Sequence, residues 1–155
     1  FIGRNKSMNR LSDNILIVID ELFSNALFNA PIDESGYRIF KNMHRNEHVR
    51  FPGNKNAKIF AVHTQNDLFI GAVDPWGSVD RDGICHSLYK AYNERKVDET
   101  SKGAGFGLRM MLDRSRSIYI LCEKGKRTLA CCHMRLNISL KKVENVPKQL
   151  HINCF

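Results

Sequence analysis

Apolar residues recur at helical spacing between residues 11 and 30, and at strand spacing through much of the remaining chain. Ile15, Val18, Ile19, Leu22, Ala26 and Leu27 line one face of a predicted helix. Ser12 can cap its start, Asp13 suits the first turn and Pro31 marks its end. Residues 37–41 alternate and predict a short strand. Residues 41–56 are polar, carry Pro52-Gly53-Asn54 and predict a loop or ragged hairpin. Residues 57–63 and 68–73 predict strands, with a hairpin turn at Thr64-Gln65-Asn66-Asp67. Residues 84–95 predict a helix with Leu88, Ala91 and Tyr92 as apolar positions, and residues 96–103 a polar, mobile stretch. Residues 106–116 predict another helix. Residues 118–123 and 128–136 predict strands joined across Lys124-Gly125-Lys126-Arg127, and residues 150–154 an edge strand. Two or three helices and at least four strands predict an α+β fold. A two-layer sandwich, with helices on one face of a mixed, mainly antiparallel sheet, accommodates them.

Composition narrows the class. A chain of 155 residues is expected to form one domain with a single core. Apolar content of 43% and charged content of 26% are ordinary for a globular chain. No apolar stretch nears the ~20 residues of a membrane span. No signal peptide is expected, and a chain opening on Phe1 is expected to lack its native start. The cysteines are Cys85, Cys122, Cys131, Cys132 and Cys154, with no Cys-x-x-Cys. That arrangement argues against a disulfide framework or zinc ribbon and favours a reducing, cytoplasmic setting. The net charge of +8 admits nucleic acid, acidic proteins or phosphate-rich ligands. Spread along the whole chain, the basic residues weaken the nucleic-acid reading.

Three segments carry candidate chemistry. In Glu21-Leu22-Phe23-Ser24-Asn25-Ala26, Glu21 and Asn25 lie one helical turn apart and Asn29 continues the stripe. A carboxylate and amide oxygens so spaced suit a hard cation such as Mg²⁺, which keeps several waters and needs few protein ligands. The alternative is a solvated helix face. Asp74 ends the apolar run from residue 68 to 73, where it can accept a hydrogen bond from a ligand amine; the alternative is a turn aspartate before Pro75. Gly77 permits close backbone approach to a ring, and Trp76 either covers a ligand or packs in the core. Lys102-Gly103-Ala104-Gly105-Phe106-Gly107 runs into the helix beginning near Leu108. Glycines there turn backbone N–H groups toward an anion, the helix N-terminus adds partial positive charge, and Lys102 and Arg109 add full charges. The loop follows no strand and lacks Gly-Lys-Ser/Thr, so it is neither a dinucleotide fingerprint nor a Walker loop.

In this order the segments resemble the three boxes of the GHKL ATPase superfamily, which groups gyrase-type ATPases, histidine kinases and anti-sigma-factor serine kinases. Residues 21–26 resemble the N-box, residues 74–77 the Asp-Gly box, and residues 103–108 the second Gly box. Thr128, after Gly125, resembles the threonine of the last core strands. The match spans residues 11–136. It implies the Bergerat ATP-binding fold and ATP with Mg²⁺ as cofactors. Asn25 would then hold Mg²⁺ and Glu21 would be the general base. Asp74 would accept the adenine amine and Gly77 would shape its pocket. Gly103, Gly105 and Gly107 would wrap the phosphates, and residues 78–102 would form the ATP lid. An N-box opening on Glu, with no phosphoacceptor hairpin before it, is most similar to the anti-sigma-factor serine kinases. That implies γ-phosphate transfer to a regulatory protein partner of sigma-factor, anti-anti-sigma or response-regulator type, and admits a homodimer. The family's Asp-x-Gly-x-Gly is Asp74-Pro75-Trp76-Gly77-Ser78 here, a departure that bears on lid geometry and turnover. It motivates a second expectation, a nucleotide-responsive binding module with little catalysis. A third, from charge alone, is a nucleic-acid-binding domain.

Two further clusters read as structural. His44 and His48 sit at zinc-ligand spacing, but in a segment without helical periodicity. Cys131 and Cys132 occupy a predicted strand, where neighbours point to opposite faces, and read as small packing residues.

Overall fold

A computed structural model of the chain describes residues 6–40, 43, 47–51, 53, 55–93, 105–137 and 146–155, with 6–10 as backbone only. Helix α1 (Lys6–Ser24) runs without a break into a π-helical turn (Asn25–Asn29). No proline or glycine interrupts residues 6–24, so the helix starts ahead of Ser12 and Asp13, which lie inside it rather than at its cap. The π-turn closes with Ala30 N–H donating to the Asn25 carbonyl at 2.8 Å. Of the strand expected at residues 37–41, the described residues 37–40 form only one bridge, Ile32 to Arg38, and residue 41 lies outside the described residues. Asp33 is the reason: its Oδ1 accepts from the Ser35 and Tyr37 backbone N–H groups and holds a tight loop.

The two expected hairpins form. Strands β1 (Lys58–His63) and β2 (Asp67–Asp74) pair antiparallel, as do β3 (Ser117–Glu123) and β4 (Arg127–Arg135). Between them lie α2 (Arg81–Asn93) and α3 (Phe106–Arg114). Asp80 sets the start of α2, accepting from the Asp82 backbone N–H at 3.2 Å. Helix α3 stops at Arg114, because Ser115 is extended and feeds β3. Strand β5 (Gln149–Cys154) returns parallel to β3. The five-stranded order is β1-β2-β4-β3-β5, so β2 and β4 join the hairpins and β5 is the expected edge.

The helices pack on one face of this mixed sheet, a two-layer α+β sandwich. Val18, Leu22 and Ala26 from α1 and the π-turn meet Ile70 and Ala72 of β2, Ile118 and Ile120 of β3, and Cys132 and Met134 of β4. Met111 and Leu112 bring α3 into the same cluster. The strand contributors alternate, as a one-sided core requires. The other face carries ring pairs: Phe69 stacks on His133 at 4.6 Å and Tyr119 on His151 at 4.8 Å. Among the described residues no helix is long and apolar enough to cross a membrane.

Ile70, 1% exposed at the centre of this core, should be sensitive to truncation. Ile70→Ala is expected to lower unfolding free energy by roughly 2–5 kcal/mol in urea titration. Leu121→Ala, at a position 44% exposed, should cost about 0.5 kcal/mol or less. Equal losses at both would contradict the placement of the core.

Candidate functional site

The last turns of α1 carry Glu21 on the edge of the face that packs against the sheet. Its side chain is buried, at 8% exposure. The first turn of α3 closes on it: a Cβ at Gly107 would lie 2.0 Å from Glu21 Oε2. A side chain there would have to displace the Glu21 carboxylate. The N–H groups of a first helical turn have no intrahelical partners, so Glu21 sits against the positive end of α3. Residues 21–26 and the described part of the glycine-rich segment, 86 positions apart at Glu21 and Gly107, are thus in contact.

The π-turn places the two asparagines together. Asn29 Nδ2 donates to Asn25 Oδ1 at 2.8 Å. Single π-turns within helices concentrate at functional sites. Asn25 is half-buried and Asn29 exposed.

Asp74 ends β2 on the helix-facing side and is 7% exposed. The Trp76 backbone N–H donates to its Oδ1 at 3.0 Å. Burial pushes its pKa up; the Trp76 and Gly77 N–H groups and the Thr128 hydroxyl oppose that rise. Thr128 is its direct partner on β4. Thr128 Oγ1 is buried without a hydrogen bond of ordinary geometry among the described residues, although it lies near enough to favour the charged carboxylate. Ser78 Oγ donates to the Ala30 carbonyl at 2.7 Å, tying the loop after Asp74 to the end of the π-turn.

Gly77 has φ +59, and a Cβ there would lie 2.1 Å from the Glu123 carbonyl oxygen. Its close approach is therefore to the β3–β4 turn, whose Gly125 N–H donates to the Gly77 carbonyl at 3.1 Å. Trp76, 2% exposed, packs in an aromatic cluster with Phe51 at 5.0 Å and Phe40 behind it. Of its two expected roles, the structure places it in the core.

Gly105 caps α3 with φ +109, and a Cβ there would lie 2.4 Å from the Ser87 carbonyl oxygen of α2. Leu108 is half-buried and packs against the core. Lys102 and Gly103 lie outside the described residues, as do residues 94–101 of the expected lid; its described helical part, α2, packs on α3. Arg109 does not direct its charge at the Gly loop. Its Nη1 donates to the Ala91 carbonyl, its guanidinium lies 4.8 Å over the Tyr92 ring, and its Nε is 3.6 Å from Asp113. Tyr92 donates to Asp113 Oδ1 at 2.7 Å, and burial together with that carboxylate pushes the phenol up to about 12. Sequence reasoning missed this latch. Arg109 and Asp113 are legible as an i,i+4 pair, but nothing local marks Tyr92 as their partner. Ser78 carried no signal at all.

The structure thus brings Glu21 to Gly107, Asn25 to Asn29, and Asp74 to Thr128 and Gly77. Among the described residues no three His, Cys, Asp or Glu side chains gather as a metal site. His44 is outside the described residues and His48 is exposed. No protein-family model matches the chain, and no curated protein matches it significantly.

Folding raises the Asp74 carboxyl pKa above its ordinary value, so the ionised form lowers stability at pH above that pKa, and the deficit vanishes as pH falls and the proton binds. Asp74→Asn keeps an oxygen for the Trp76 N–H without the charge. It is expected to melt higher than wild type at pH 7, with the gap closing below the carboxylate range. A pH-independent gap would contradict this. Gly107→Val should destabilise by about 1–3 kcal/mol through collision with Glu21, measured by denaturant titration.

Proposed function

We propose that the chain is an ATP-binding domain of the GHKL type that transfers the γ-phosphate of Mg-ATP to a protein serine. The observation that carries the reading is Asp74: a carboxylate buried at a cost to stability, beside Thr128 Oγ1, which has no hydrogen bond of ordinary geometry among the described residues. Carboxylates so perturbed concentrate at functional sites. An adenine amine would satisfy both groups, which supports the fit of a purine. Trp76 N–H fixes the Asp74 rotamer in advance. Asn25 would hold Mg²⁺ through its amide oxygen, with water and phosphate completing the shell. Bound Mg²⁺ supplies charge neutralisation on the phosphates. Gly105 and Gly107 offer the first turn of α3 to the phosphates. Glu21 Oε2, held against that turn, accepts the proton of the attacking hydroxyl. The regulatory protein partner and a cytoplasmic setting belong to this same proposal.

A second reading has its own support. Gly77 is committed to the β3–β4 turn, and the Arg109–Tyr92–Asp113 latch fastens α2 to α3. A domain so latched suits a switch, in which nucleotide alters a surface that a partner reads. The basic charge leaves a nucleic-acid domain as a third reading, which predicts binding that weakens steeply with salt.

Mg-ATP at about a hundred times its Kd should stabilise wild type by roughly 2.7 kcal/mol. Asp74→Asn should lose that shift relative to its own ligand-free melting point. No shift in wild type would remove the nucleotide reading. Glu21→Gln should retain the shift and lose γ-phosphate transfer to the serine substrate by about 100-fold or more; undiminished transfer would sink the assigned role. Binding without transfer in wild type would favour the switch.

A further inference from the structure

We propose that Cys122 and Cys154 are a redox pair that closes reversibly into one disulfide across the β3–β5 edge. They are direct register partners on neighbouring parallel strands, so both side chains emerge on the helix-facing side of the sheet. Adjacent strands lie about 4.7–4.9 Å apart, inside the ~4.4–6.8 Å Cα separation that a disulfide spans. The backbone around them is fixed. Phe155 N–H donates to the Cys122 carbonyl at 3.0 Å, and Lys124 N–H donates to the Phe155 carbonyl at 3.1 Å. Little further ordering is needed to bring the sulfurs together. Cys122 also bears electrostatically on the Cys154 thiol.

Access is asymmetric. Cys122 is fully buried, whereas Cys154 is exposed. Both border a cavity of about 780 Å³ beside the start of α2 and the β3–β4 turn. Arg38, Arg81 and Lys124 line it together with Asp80 and Asp82, a net positive lining that admits an anionic peptide disulfide such as glutathione disulfide. Arg81 favours the Cys154 thiolate, whereas burial and the neighbouring Cys122 and Asp80 hold the thiol up. Attack by Cys154 is therefore slow at neutral pH rather than hyper-reactive.

The chemistry is thiol–disulfide exchange. The Cys154 thiolate attacks one sulfur of glutathione disulfide, forming a mixed disulfide and releasing one glutathione thiolate. Cys122 Sγ gives its proton to solvent base and attacks Cys154 Sγ. The S–S bond between the residues forms as the second glutathione leaves. Two protein thiols are oxidised by two electrons, and one glutathione disulfide is reduced to two thiols. The product ties β5 covalently to β3 next to the Gly77–Ser78 segment. This inference does not depend on the nucleotide reading.

The test treats the full chain with glutathione disulfide, alkylates remaining thiols in denaturant and maps peptides without reduction. The expected result is one cross-link joining the Cys122 and Cys154 peptides, with the mass of two hydrogens lost and Cys85 alkylated. Dithiothreitol should restore both thiols. Cys154→Ser changes an exposed position and should fold, removing the cross-link and leaving Cys122 alkylatable. Persistent glutathione on Cys154 without a cross-link, alkylation of both thiols after treatment, or a cross-link surviving in Cys154→Ser would each overturn the proposal.

Discussion

The β2–β4 ladder is the constraint on which the rest of the structure depends. Either hairpin alone would be marginal in water, since two strands cannot bury a face. Pairing Ile70 with Cys132 and Ala72 with Ala130 merges them into one surface wide enough for α1 and α3. The same register sets Asp74 opposite Thr128. A slip of one residue would turn Ile70 and Ala72 away from the helices and move Asp74 to the other face. Core and candidate site are therefore consequences of one pairing.

Two carboxylates of the candidate site are buried beside the core. Glu21 and Asp74 are both nearly excluded from solvent, in a chain with ample polar surface for its carboxylates. Asp74 is partly compensated by the N–H groups after it and by Thr128, yet its pKa still rises. Glu21 is set against the first turn of α3, where the helix dipole favours negative charge. Neither arrangement is needed to fold a two-layer sandwich. Asp74 is the carboxylate whose burial raises its pKa, and carboxylates so perturbed concentrate at functional sites.

The elements around these carboxylates are joined by polar contacts rather than by apolar packing alone. Ser78 ties the loop after Asp74 to the π-turn, and Gly77 backs onto the β3–β4 turn. Arg109, Tyr92 and Asp113 fasten α2 to α3, whose first turn meets Glu21. No residue of α2 is fully buried, so this latch and the half-buried Leu88 and Ile84 hold it. An element so attached opens at lower free energy than the sheet beneath it.

By itself, the sequence determined most of the elements and the order of the polar and glycine-rich segments among them. Helical and strand periods reflect which face each segment buries, and that is local information. Both hairpins, the edge strand and the two-layer arrangement were legible from it. The three candidate segments stood out because Glu21, Asn25, Asp74 and the glycines are chemically unusual in apolar surroundings. The early start of α1 and the Asp33 loop in place of a strand at residues 37–40 are local too, but hydrophobic periodicity does not encode them. Tertiary structure alone decided the rest. The contact of Gly107 with Glu21, the turn of Arg109 toward Tyr92 and the register of Cys122 with Cys154 join residues far apart in the chain. Such contacts are fixed by how strands pair and helices dock, and one segment read alone carries no record of its distant partner.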